Sequence, residues 1–160
     1  MDRNAHPRIL VIQVAALGYD LVERFPEAFS NLPFPLHSLT PVFPAVTCSA
    51  QASMRTGLPP DQHGMISNGY FDRRLRKAFF WEQSAAQVNS PRIWNRFRES
   101  GHTVGTFCVQ QSLGEALDMV LSPAPIHKHS GGLVQDCYTR PPDLYHQLIR
   151  QTGRAFNLFH

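Results

Sequence analysis

Ser90-Pro91-Arg92-Ile93-Trp94-Asn95-Arg96-Phe97-Arg98-Glu99-Ser100-Gly101-His102-Thr103-Val104-Gly105-Thr106-Phe107-Cys108-Val109 is the stretch that decides the fold class. Ser90 is a capping residue and Pro91 suits a first helical position, because its missing N–H would have no partner there. Ile93, Trp94 and Phe97 share one face at helical spacing. Gly101 then supplies the left-handed residue on which a helix closes. Thr103 to Val109 is rich in β-branched and aromatic residues and reads as a strand. Helix, glycine stop and strand in that order are the grammar of a parallel sheet with crossovers.

Working outward, Ile9 to Val14 is a near-continuous apolar run, the pattern of a strand buried on both faces. It is expected to lie parallel to 103–109 in one sheet. Asp20 to Phe25 reads as a short helix stopped by Pro26, and Pro33 to Pro44 as an irregular approach. Cys48 to Arg55 is rich in small residues and reads as a helix that Gly57 ends. Leu58 to Tyr70 reads as loop and Lys77 to Trp81 as strand. Leu113 to Leu117 can make one helical turn, Met119 to Leu121 a strand, and Ser122 to Thr139 loop. Pro141-Pro142 opens a last helix through Arg150, closed by Gly153. The class is α/β, in a single domain over residues 1–160.

Between these elements lies Pro44-Ala45-Val46-Thr47-Cys48-Ser49, then Thr56-Gly57-Leu58-Pro59 and His63-Gly64-Met65-Ile66-Ser67-Asn68. Thr47 falls at the start of a helix, and Asn68 follows twenty-one positions later across a turn rich in glycine and proline. A helix start offers unpaired N–H groups and a positive dipole end, which suits an anion. A hydroxyl held there can attack phosphorus or sulfur if its proton is drawn away. The same residues also fit a plain cap at Thr47 and a turn at Asn68-Gly69.

The stretch from Ile9 to about Asp72 resembles the N-terminal part of the type I phosphodiesterase/nucleotide pyrophosphatase group of the alkaline phosphatase superfamily. The matching residues are Pro44 and Thr47, then Thr56, Gly57, Pro60, His63, Gly64 and Asn68, with Tyr70 and Asp72 nearby. The resemblance implies an alkaline-phosphatase-like sandwich, with a largely parallel sheet and helices on both faces. It implies a hydrolase of phosphate esters in which Thr47 is the nucleophile and a metal ligand. Asn68 would hold a phosphoryl oxygen, and the cofactor would be a divalent metal, zinc. The substrate would be a small phosphate ester or nucleotide-like molecule. His63 matches the family's turn and reads as a hydrogen-bonding support of the loop.

Departures from the pattern are equally specific. The first metal-binding Asp of the family, followed by Gly, falls on Ala15-Ala16, and a methyl group cannot bind zinc. Ser49-Ala50-Gln51 stands where the family has Pro-Asn-His. The later Asp and His ligands have no counterpart in this sequence. The chain therefore reads as a divergent, shortened N-terminal portion, and the apolar run Ala155 to His160 as one that continues into further structure. The alternative function is a non-catalytic anion-binding or accessory protein that kept the fold and lost the metal ligands.

At 160 residues, with 42% apolar and 17% charged residues, the chain has the composition of a globular protein. A net charge of +3 is too small and dispersed to argue for nucleic acid. The one dense basic run, Arg73-Arg74-Leu75-Arg76-Lys77, reads as a solvated turn. Ile9 to Leu17 is too short to span a bilayer, so no membrane partner is expected. Cys48, Cys108 and Cys137 are odd in number and widely spaced, neither a disulfide framework nor a zinc module, which fits a cytoplasmic setting. Cys48 adjoins Thr47 as a second candidate nucleophile. His127 and His129 could offer two imidazoles to a metal but lack a third ligand with suitable spacing.

Overall fold

The computed structural model describes residues 8–155, except the side chain of His127. They fall into two compact units, one ending at Thr40 and the other beginning at Pro41. The first contains α1 (Tyr19–Arg24), where Val22 is buried, and a 3-10 turn over Pro26–Phe29. The helix stops before Pro26, as the sequence predicts.

The run Ile9–Val14 departs from expectation. It has no regular secondary structure and joins none of the described sheets. Its apolar side chains are 57% to 83% exposed. An apolar run specifies that a segment can be buried, but a strand exists only where a neighbour takes its N–H and C=O groups. The expected parallel pairing with 103–109 is therefore not formed. After this run comes a tight turn in which Gly18 N–H donates to Ala16 O, with Ala16 at φ 60°.

The second unit carries α2 (Thr47–Thr56), α3 (Pro60–His63) and a hairpin of β1 (Gly69–Asp72) and β2 (Lys77–Phe80). Then follow α4 (Asn95–Glu99), β3 (Gly105–Phe107), β4 (Met119–Pro123), β5 (Ile126–His127), β6 (Leu133–Val134), β7 (Cys137–Arg140) and α5 (Leu144–Thr152). The sheet order is β3-β4-β7. β3 and β4 run parallel with Thr106 opposite Val120, and β7 is antiparallel to β4 with Thr139 opposite Leu121. The other two ladders, β1–β2 and β5–β6, are antiparallel. The chain is thus mixed α/β with small sheets, and only one of its described ladders is parallel.

Several boundaries move. The helix expected from Ser90-Pro91 begins at Asn95, with Trp94 as its cap and no side-chain capping bond. Ahead of it, Ile93 N–H donates to Arg55 O at 2.8 Å, a bond to another segment rather than to a helical turn. Leu113–Leu117 is not helical: Leu113 makes a parallel bridge to Ser84. Segments 58–70 and 122–139, read as loop, contain α3, the start of β1, and β5 to β7. The last helix starts at Leu144, after Pro141-Pro142 rather than on them, and closes on Gly153 as expected.

Burial is concentrated in two places. Cys48, Ala52, Met65 and Val88 pack together beneath α2. Leu117, Val120, Leu121 and Leu144 are buried around β4 and α5. Of the expectations at the chain's end, the run from Phe156 onward lies outside the described residues.

Candidate functional site

Thr47 is the first residue of α2, after Val46 in extended conformation as N-cap. Val46 offers no side-chain acceptor, so the cap comes from elsewhere in the chain. Asn68 Oδ1 accepts a hydrogen bond from Cys48 N–H at 2.9 Å. The first bond of the intrahelical ladder runs from Ala50 N–H to Val46 O. The N–H groups of residues 47 to 49 precede that ladder, and Asn68 takes the middle one. Because Oδ1 faces a backbone donor, the amide orientation is set, and Nδ2 is the donor end of the side chain. Thr47 and Asn68 are both half-buried.

The segment between them is a chain of turns. Thr56 Oγ1 donates to Ala52 O at 2.8 Å and accepts from Leu58 N–H at 3.2 Å. Gly57 closes α2 at φ 71° and Gly64 closes α3 at φ 81°, values that a side chain makes costly. Pro60 opens α3 with its fixed φ. Met65 N–H donates to His63 Nδ1 at 3.1 Å, so the proton of the neutral ring sits on Nε2, which donates to Ser53 Oγ at 2.9 Å. His63 O accepts from Asn89 N–H. His63 is fully buried, and burial, helped by the nearby positive charge of Arg55, lowers its pKa. It supports the loop, as the sequence suggests, and both its nitrogens are engaged. The backbone of Asn68 is pinned too, its carbonyl accepting from Trp81 N–H at the base of the β1–β2 hairpin.

Sequence reading missed the layer beneath α2. Cys48, Gln51 and Arg55 lie along one face of the helix and all reach the turn at 110–111. Gln111 Nε2 donates to Cys48 Sγ at 3.0 Å and to Glu82 O at 3.2 Å. Gln110 N–H donates to Gln51 Oε1 at 2.7 Å, and Arg55 Nη1 donates to Gln111 O at 3.0 Å. Gln111 is 1% exposed and adopts φ 50°. The only sequence signal was the i, i+3, i+7 spacing of Cys48, Gln51 and Arg55 on a helix read as rich in small residues. Burial lowers the pKa of Arg55 to about 10; the positive charge of Arg92 adds to this and Glu115 opposes it. Arg92 Nε lies 2.8 Å from Glu115 Oε1, and Arg92 Nη2 donates to Glu115 Oε2 at 3.2 Å and to Ala85 O at 3.1 Å.

Cys48 does not behave as a nucleophile. It is 1% exposed, and burial raises its thiol pKa against the smaller opposing effect of Gln111. Thiolates react, not buried thiols. The basic run Arg73–Lys77 forms the exposed tip of the hairpin, where Asp72 Oδ1 accepts from the N–H groups of Arg74 and Leu75.

The profile of the type I phosphodiesterase / nucleotide pyrophosphatase family matches residues 11–154, nearly the whole chain. The chain belongs to this family. No curated protein and no solved structure matches it. Membership assigns the chain to a group of phosphodiesterase- and pyrophosphatase-type hydrolases acting on small phosphate esters or nucleotides. These enzymes generally use a divalent metal, and the described residues do not fit one. Among the described residues no group of three His, Cys, Asp or Glu could hold an ion. Catalytic zinc takes three protein ligands and keeps a fourth position open. Among the described residues no helix is long and apolar enough to cross a membrane.

Proposed function

We propose that the start of α2 and the Asn68 amide form the phosphoryl pocket of this family member, with Thr47 as its nucleophile. The observation that carries this reading is the 2.9 Å bond from Cys48 N–H to Asn68 Oδ1, which draws Asn68 to the helix start beside Thr47. The N–H groups of Thr47 and Ser49 and the Asn68 Nδ2 then present donors where charge gathers on a phosphoryl group. Thr47 Oγ1 attacks phosphorus in line. The P–Oγ1 bond forms as the ester P–O bond breaks, the hydroxyl proton passes to solvent, and the alcohol departs after taking up a proton. Water hydrolyses the phospho-Thr and restores the hydroxyl.

A second reading, a non-catalytic anion-binding protein, is favoured by one observation. Ala15 stands where the family has a carboxylate. A threonine hydroxyl without an activating partner stays protonated near neutral pH, so the isolated chain is expected to bind phosphate esters better than it turns them over. The alkaline-phosphatase-type sandwich and a single domain also belong to this proposal. They are supported by the family profile, which runs across both compact units, and by the parallel β3–β4 pair. Three free cysteines support a reducing, cytoplasmic location.

The test is turnover of bis(p-nitrophenyl) phosphate with and without added zinc, together with calorimetric binding of inorganic phosphate. Phosphate binding that Asn68→Ala weakens, with any turnover abolished by Thr47→Ala, is the expected result. Turnover that survives Thr47→Ala would refute the nucleophile. Absence of phosphate binding would refute the pocket.

A further inference from the structure

Beside the proposed phosphoryl pocket lies an open cavity of about 460 Å³, lined by Phe43, Pro44, Pro59, Pro60 and Ile66, with Asp61 among them. Two of its walls lead directly into the site. Pro44 is three residues before Thr47, so their Cα atoms are at most about 11 Å apart. The bond from Val46 N–H to Pro44 O turns the chain tightly within that stretch. Ile66 is two residues before Asn68, at most about 7 Å away. The cavity thus lies within reach of one small molecule from the helix start.

Its lining selects against much of the family's substrate range. Apart from Val42, the lining not yet named, it is built of prolines, Phe43, Ile66 and one carboxylate. Ile66 is 61% exposed and Phe43 92%, so both present apolar surface to be covered. No lining side chain is cationic, so a second phosphate would meet only the Asp61 carboxylate. Prolines carry no N–H, so the polar edges of a nucleobase or ribose would find few donors along this lining. An aryl or short alkyl group gains from the same surface.

Resting on the reading of Thr47 and Asn68 above, we propose that this cavity receives the ester group of the substrate. The substrate class is phosphate esters of apolar alcohols, plain or tipped with a cation that meets Asp61, rather than nucleotides.

Calorimetric titration of the full chain with four probes tests this: methylphosphonate, phenylphosphonate, 4-(aminomethyl)phenylphosphonate and UMP. Phenylphosphonate is expected to bind about tenfold more tightly than methylphosphonate, the scale of burying part of an aryl ring. Ile66→Ala should bring that ratio down towards threefold. The aminomethyl probe should gain about a further threefold, the scale of an exposed ion pair, and Asp61→Asn should remove the gain. UMP should bind more weakly than phenylphosphonate. Methylphosphonate binding with no phenyl advantage, or UMP binding more tightly than phenylphosphonate, would overturn the substrate class and leave the phosphoryl pocket standing. Equal affinity of the plain and aminomethyl probes would overturn the role of Asp61. If no probe binds, both the pocket and its substrate class are wrong.

Discussion

Asn68 is read here as two things at once, a helix cap through Oδ1 and an anion donor through Nδ2, and one substitution separates them. Asn68→Asp keeps an acceptor oxygen at the position that now lies 2.9 Å from Cys48 N–H. A carboxylate also suits the positive end of α2, worth about 0.3–1 kcal/mol. Stability should therefore hold or rise slightly. Asn68→Ala deletes the acceptor and leaves a half-buried donor without its partner, which costs about 1 kcal/mol, as for other lost caps. For a chain of this size that lowers Tm by about 2–4 °C. Anion binding should follow the opposite order. In the Asp variant a negative charge replaces the Nδ2 donor, and at about 4 Å from a phosphoryl oxygen in a partly screened site the repulsion reaches about 4 kcal/mol. Even a third of that weakens phosphate binding about tenfold. Urea unfolding of the three proteins, with calorimetric titration of inorganic phosphate into each, gives both readings. Equal destabilisation by Asp and Ala would refute the cap. Phosphate bound equally well by wild type and Asn68→Asp would refute the placement of Nδ2 at the anion.

Acid should weaken the turn around His63. The free imidazole takes up a proton near pH 6.5 and the buried one only at lower pH, so between those values the unfolded chain holds more protons. Stability is then complete above pH 6.5 and falls below it, by at most about 1.4 kcal/mol per pH unit; unfolding midpoints from pH 7.5 to 5.0 check this, and no added slope relative to His63→Gln would count against it. Glu115→Gln leaves the largely covered Arg92 without its counter-charge and removes a group that sustains the charge on the buried Arg55, so a loss of about 2 kcal/mol is expected in urea unfolding. A change below about 0.5 kcal/mol would show that solvent reaches the pair. In the folded chain a thiol reagent should modify exposed Cys108 promptly and Cys48 only on unfolding, as read by peptide mass analysis; fast labelling of Cys48 would contradict its burial.

Much of the local structure was legible in the sequence because it is decided within a few residues. Gly57, Gly64 and Gly153 end helices at positive φ because a left-handed residue without Cβ is the least costly way to turn there. Pro26 stops α1 and Pro60 starts α3 for equally local reasons. The turns between Thr47 and Asn68 were also legible, with His63 as a hydrogen-bonding support of its loop, because Thr56 and His63 bond to backbone groups two to four residues away; the bond that joins Asn68 to the helix start spans twenty residues and belongs to the tertiary structure.

What the sequence alone determined is thus the family and the Thr47–Asn68 spacing. Tertiary structure decided the rest. Ile9–Val14 carries the composition of a strand, yet strand formation depends on a neighbour's hydrogen bonds, and composition does not supply the neighbour. Gln111 and Arg92 look like ordinary surface residues in the chain. Gln111 became a buried anchor and Arg92 a largely covered one because folding brings the turn at 110–111 under α2 and Glu115 against Arg92. A buried polar group is stable only where distant partners meet it, and no window of sequence contains both partners.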